Sequence, residues 1–145
     1  MKKKDYTATI SVNASPEGAF KHINEVSRWW AKQVEGRSEE LNDVFTAVFN
    51  HCSFTFKVIG SEPGRKVEWL VTDSDLSWLK NKNEWNGTKV SFEISPKNGS
   101  TEISFTHTGL VPEMECYDNC EYGWNLHFKQ SLLSLITEGK GQPAY

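Results

Sequence analysis

Residues 113–138 form the one stretch whose helical period runs along its whole length. At about 100° per residue, Tyr117, Cys120, Trp124, Phe128, Ser131, Leu132 and Leu135 fall on a single stripe. Most of what precedes it alternates with period two. A chain with one long amphipathic helix and many short alternating runs has few ways to bury its apolar faces. The most direct is an antiparallel sheet wrapped over that helix.

The remaining runs support this. Tyr6, Ala8, Ile10 and Val12 share one face of a strand over residues 6–13. Ser15-Pro16-Glu17 has the chemistry of a helix start: an N-cap hydroxyl, a proline at the first position and a carboxylate in the first turn. Ala19, Phe20 and Ile23 give that helix its buried side, Asn24 ends it, and Val26-Ser27-Arg28-Trp29-Trp30 forms a second short helix. Further strands are predicted over residues 42–49, 51–58, 66–72, 89–95 and 101–108. The first of these is apolar enough on both faces to be covered twice. Gly36-Arg37-Ser38, Glu62-Pro63-Gly64-Arg65, Asn86-Gly87 and residues 96–100 read as turns, and residues 73–83 as a loop or a short turn of helix. Gly139-Lys140-Gly141 stops the last helix. The expected fold class is α+β: a curved antiparallel sheet of about seven strands around a long C-terminal helix, with two short helices after the first strand. Residues 1–145 are expected to form a single domain.

Charge and composition exclude several function classes. A net charge of -3 argues against nucleic acid as the main partner, because phosphate binding needs a basic excess. The basic start at residues 1–4 has no apolar segment after it, so it does not read as a signal peptide. No run approaches the roughly 20 apolar residues of a membrane span, and a cytoplasmic location is expected. Three cysteines without a secretory signal do not suggest a disulfide framework. No nucleophile elbow, phosphate loop or dinucleotide fingerprint is present. No catalytic group and no cofactor is assigned from the sequence.

The aromatic content is the unusual feature, with six Trp and eight Phe in 145 residues. Phe54, Phe56, Trp69, Phe92 and Phe105 face inward on their strands, opposite Trp124 and Phe128 of the helix. These rings either fill the core or line a space between sheet and helix. His107 faces inward beside Ile103 and Phe105, and His127 lies near the edge of the helix stripe. Two histidines at a cavity mouth could orient a ligand or act as acid and base; the alternative is hydrogen-bonded structure. Ser131 is expected to bond back to a carbonyl of its own helix, or else to point into the cavity. Cys116, Cys120 and His127 share a stripe, but Cys116 and His127 are roughly 16 Å apart along the axis. One zinc ion with bonds of about 2.0–2.3 Å cannot reach both, so no metal site is assigned. Tyr122, Leu126 and Leu133 lie on the outer side of the helix. They either pack on neighbouring elements or form a homodimer patch.

Several motifs resemble the START-like helix-grip (SRPBCC) superfamily, in particular the activator of heat shock protein 90 ATPase homologue family and the polyketide cyclase-like proteins. They are Ile10-Ser11-Val12-Asn13-Ala14-Ser15-Pro16-Glu17 before Ala19-Phe20, Trp29-Trp30, Glu84-Trp85-Asn86-Gly87-Thr88, and Thr101-Glu102-Ile103-Ser104-Phe105-Thr106-His107 leading to Gly123-Trp124. The resemblance covers nearly the whole chain. It implies a cup enclosed by the sheet and the C-terminal helix, and a small hydrophobic or amphipathic ligand, lipid-like or aromatic, as partner. Phe54, Phe56, Trp69, Phe92, Phe105, His107, Trp124, Phe128 and Ser131 are the expected ligand-binding residues. A cyclase or aromatase acting on an apolar substrate, and a co-chaperone that activates a heat shock protein 90 ATPase, are the alternatives the resemblance implies.

Overall fold

The computed structural model describes residues 5–49 and 52–143. The basic start and His51, the first residue of one expected strand, lie outside the described residues. The strands are β1 (Tyr6–Val12), β2 (Gln33–Gly36), β3 (Val44–Val48), β4 (Cys52–Glu62), β5 (Lys66–Leu76), β6 (Lys89–Lys97) and β7 (Ser100–Thr108). They form one sheet in the order β1-β7-β6-β5-β4-β3-β2, antiparallel throughout. Two short helices, α1 (Pro16–Asn24) and α2 (Val26–Trp29), carry the chain from one edge of the sheet to the other. The last helix runs as α3 (Tyr117–Leu126), a π-helical segment (His127–Leu132) and α4 (Leu133–Glu138).

The expected local chemistry is present at both helical ends. Ser15 accepts a hydrogen bond from the Gly18 N–H at 3.0 Å, with Pro16 just inside the helix. Gly139 closes α4 in the left-handed conformation at φ 79°, its N–H bonded to the Leu135 carbonyl. The stripe is buried from Cys120 through Trp124, Phe128, Ser131 and Leu132 to Leu135.

Four departures have identifiable causes. β5 does not end at Thr72 but continues to Leu76, where residues 73–83 read as a loop or a short turn of helix. Its register shifts there: Asp73 faces Thr55, yet Val71 faces Phe56. Thr72 is the additional residue of a β-bulge, which reverses the alternation. Val67, Trp69 and Val71 point inward before it, and Ser74 and Leu76 after it. A second shift, between Val58 and Gly60, lets β4 run to Glu62. The β6–β7 turn is shorter than residues 96–100. Asn98 (φ 51°) and Gly99 (φ 83°) make a two-residue loop with two positive φ angles, which suits the twist of a hairpin. Finally, β3 is covered on one face only. Phe45 and Ala47 are buried, but on the other face Val44 is 52% exposed and Thr46 and Val48 are only half-buried, β3 lying next to the short edge strand β2.

The last helix also differs from the expected one. It begins at Tyr117 rather than 113. In its middle, the wider i→i+5 π turn lowers the rotation per residue, so neighbouring residues share the inner side. His127 and Phe128 are both buried, as are Ser131 and Leu132. No helix among the described residues is long and apolar enough to cross a membrane.

Candidate binding site

Beneath the π segment and α4 the interior is filled with rings. Phe45, Phe56, Trp69, Phe92, Phe105 and Phe128 are fully buried. Their centroids succeed one another at 5.0 Å (Phe45–Trp69), 5.0 Å (Trp69–Phe92), 5.1 Å (Phe92–Phe105) and 4.9 Å (Phe105–Phe128). These are contact distances for offset and edge-to-face pairs. Phe56, Trp69, Phe92, Phe105 and Phe128, expected as cavity wall, are therefore one another's packing partners. The Trp69 indole N–H is buried among them with no hydrogen-bond acceptor among the described residues.

An aromatic-lined open space lies at the other end, between α3 and the paired ends of β4 and β5. It is a pocket of about 160 Å³, entered from the surface. Trp30, Phe49, Phe54, Trp78, Trp85 and Trp124 supply its aromatic lining, with Cys52, Leu76, Asn119, Cys120, Gly123 and His127 around them. Of the residues expected from the sequence, only Phe54 and Trp124 line it. Among the described residues, no Asp, Glu, Lys or Arg does.

Two clasps hold the wall that carries Trp78 and Trp85. The Glu84 carboxylate accepts the N–H groups of Glu115 (2.8 Å) and Cys116 (3.0 Å), the second being the N-cap donor of α3. In return, Glu115 accepts the Lys80 N–H at 3.2 Å. The Trp85 indole N–H points between Cys116 Sγ and Cys120 Sγ, 3.3 Å from each. The Cys120 thiol is pushed up from its ordinary pKa by its hydrogen bond to Cys116 and by burial. Burial, with Asp75 nearby, pushes the Cys52 thiol up to about 11. These are protonated thiols of low reactivity at neutral pH. Among the described residues no group of three or more His, Cys, Asp or Glu is placed to hold a metal ion.

His107 stands behind the pocket rather than in it. Its Nδ1 accepts the Trp124 indole N–H at 3.1 Å, and its Nε2 lies 2.8 Å from Thr88 Oγ1. Thr88 in turn donates to the Trp85 carbonyl at 2.6 Å. An indole N–H can only donate, so Nδ1 must be bare and Nε2 must carry the proton. The chain Trp124→His107→Thr88→Trp85 thus has one consistent direction and fixes the tautomer. His107 is fully buried, and burial lowers its pKa to about 3. With both nitrogens engaged, it has neither a free lone pair nor a free proton for a ligand.

Ser131 is likewise engaged, though not with its own helix as expected. It donates to the Trp29 carbonyl at 2.6 Å and accepts the Gln142 N–H at 2.7 Å, tying α2 and the C-terminal tail to the π segment. His127 is the histidine that lines the pocket. It is 9% exposed, its Nδ1 is buried without a hydrogen-bond partner among the described residues, and burial lowers its pKa.

The outer side of the helix divides. Leu133 packs against the core cluster and Leu126 is half-buried, whereas Tyr122 is 70% exposed.

Comparison with protein-family models finds no match, and comparison with curated protein sequences finds none either. Solved structures do resemble this one. The Aha1 dimer from Colwellia psychrerythraea is similar with a TM-score of 0.78 and 23% identity, over 95% of this chain and 99% of that one. SSP2350 from Staphylococcus saprophyticus is similar at 0.72 and 11% identity, over 98% of each chain. DynU16, from the dynemicin biosynthetic locus, is similar at 0.68 and 14% identity, over 94% of this chain but 48% of its own. These likenesses, together with the seven-stranded sheet folded on the last helix, show the helix-grip fold.

Proposed function

We propose that this helix-grip domain binds a small apolar or amphipathic molecule in the pocket between α3 and the ends of β4 and β5. Gly123 is the observation that carries this reading. Glycine inside a helix costs about 0.5–1 kcal/mol relative to alanine. Here it stands in α3 on the pocket lining, and a Cβ built on it would meet no atom within 4 Å. The packing leaves room for a side chain, so what the glycine preserves is open space beside the rings.

The volume limits the ligand. An apolar cavity of about 150 Å³ accommodates one benzene, whereas drug-sized pockets start at about 300 Å³. A pocket of about 160 Å³ takes a single ring or a short chain, with any larger polar part left at the mouth beside Asn119 and the 44%-exposed Trp78. Calorimetric titration with toluene, indole and decanoate tests the reading. Gly123→Leu, checked for native circular dichroism, should abolish binding of the compounds that bind the unmodified chain. Undiminished affinity in that variant would place the ligand elsewhere.

A homodimer through the outer face of the C-terminal helix is a second reading. It is supported by the exposure of Tyr122 one turn from Leu126, and by the dimeric state named for the Colwellia Aha1 structure. Sedimentation of the unmodified chain and of Tyr122→Glu tests it. A dimer mass that Tyr122→Glu leaves intact, or a monomer mass in both, speaks against this face.

A further inference from the structure

Four of the rings around the pocket share an orientation, whereas Phe49 is tilted 59° to Trp30 and 68° to Phe54. Trp30 and Phe54 lie within 14° of parallel, Trp85 and Trp124 within 19°, Phe54 and Trp85 within 24°, and Trp30 and Trp124 within 29°. Their centroids close a circuit at 6.0, 5.9, 4.0 and 4.9 Å. An aromatic cage for a quaternary ammonium surrounds a sphere, so it needs ring faces turned toward one centre from different directions. Four near-parallel planes instead suit a flat guest that extends the stacking.

The polar contacts narrow the class. With no charged side chain among the described lining residues, a carboxylate or ammonium drawn into the pocket would lose its hydration without a counter-charge. His127 is different in kind from the rest of the lining. It is more than nine-tenths buried, and its Nδ1 has no hydrogen-bond partner among the described residues. His107 and Trp124, by comparison, satisfy each other. The Trp85 N–H is taken by the two thiols. Burial keeps the His127 imidazole neutral, with one donor and one acceptor nitrogen. A hydroxyl can answer Nδ1 in either tautomer, since it both donates and accepts.

Resting on the pocket assignment above, we infer that the ligand class is a neutral single-ring aromatic bearing a hydroxyl, with its ring parallel to the Phe54–Trp85 stack and its hydroxyl bonded to the His127 imidazole. Phenol and toluene are the probes, since they share the ring and differ in the hydroxyl. In calorimetric titration the unmodified chain should bind phenol about fivefold more tightly than toluene, the size of one neutral hydrogen bond. His127→Phe should reverse that order, and His127→Gln should retain part of it. A readout that needs no variant is the 15N spectrum of the His127 ring, which phenol should shift and toluene should not. Toluene binding as tightly as phenol, or a 15N spectrum indifferent to phenol, overturns the His127 assignment while leaving the pocket as an apolar site. Failure of both probes to bind overturns the pocket assignment as well.

Discussion

Replacing Thr88 by valine isolates the hydrogen-bonded chain behind the pocket. The substitution exchanges a hydroxyl for a methyl of nearly the same size, so packing against Gly109 is retained. What is lost is the acceptor for the His107 Nε2–H and one donor to the Trp85 carbonyl. That carbonyl keeps the Thr88 backbone N–H at 3.0 Å. His107 has no such reserve. Its proton cannot move to Nδ1, because Nδ1 faces the indole N–H of Trp124. One donor on a fully buried ring is therefore left unsatisfied, which costs about 1–3 kcal/mol. In a chain of this size that lowers the melting temperature by roughly 3–10 °C. Thr88→Ser is the control, since it keeps the hydroxyl and gives up only a methyl, about 0.8 kcal/mol. Urea unfolding of the three proteins, fitted by linear extrapolation, measures the differences. A Thr88→Val protein no less stable than Thr88→Ser would refute the assigned direction of the chain.

Three further outcomes follow from the same interior. The folded His107 pKa of about 3 lies below its ordinary 6.5, so the unfolded chain binds the proton first as pH falls. Its contribution is complete above about pH 6.5 and is lost on the way down to 3, at up to about 1.4 kcal/mol per pH unit; urea unfolding at pH 7.5 and pH 5 should differ by about 2 kcal/mol from this group alone, and equal stabilities would contradict a neutral buried ring. Gly123→Ala should raise the unfolding free energy by about 0.5–1 kcal/mol while weakening ligand binding, since a methyl there meets no atom but narrows the pocket; a loss of stability would show that the position is not open. Leu133→Glu should destabilise the monomer by at least about 1 kcal/mol, because that side chain packs on the core cluster; unchanged melting in circular dichroism would place it at the surface instead.

Strand alternation and helix period made most of the architecture legible in advance: two short helices after β1, the hairpins, and the buried stripe from Cys120 to Leu135. The misreadings occurred where one local irregularity changes the period. The bulge at Thr72 turns Ser74 and Leu76 inward, which a strictly alternating strand cannot anticipate. The π segment brings His127 to the inner side, whereas a constant 100° rotation leaves it at the edge. β2, four residues long with one half-buried side chain, carries almost no alternation to read.

The site was less legible than the fold, because pairing across the chain decides it. Phe92, Phe105 and Phe128 have the same inward pattern as Phe54 and Trp124. Only the tertiary arrangement separates rings that fill space from rings that border it. Trp30 and Trp85 belong to motifs recognisable in the sequence, yet each reaches the pocket from a loop or helix end with no periodicity to indicate direction. Ser131 bonds a carbonyl 102 residues away, a partner that no helix-local rule supplies. Gly123 was the available signal, as a glycine in mid-helix beside an inward tryptophan.

The central claim is that the helix grips a filled aromatic core and leaves a small aromatic-lined pocket beside α3. A crystal structure of the chain soaked with phenol tests it most directly. Ring-shaped density is expected in the pocket, beside the Phe54–Trp85 stack and next to His127, with the side chains of Trp69, Phe92, Phe105 and Phe128 unmoved. Density for the guest among those last four rings, beneath the π segment, would contradict it.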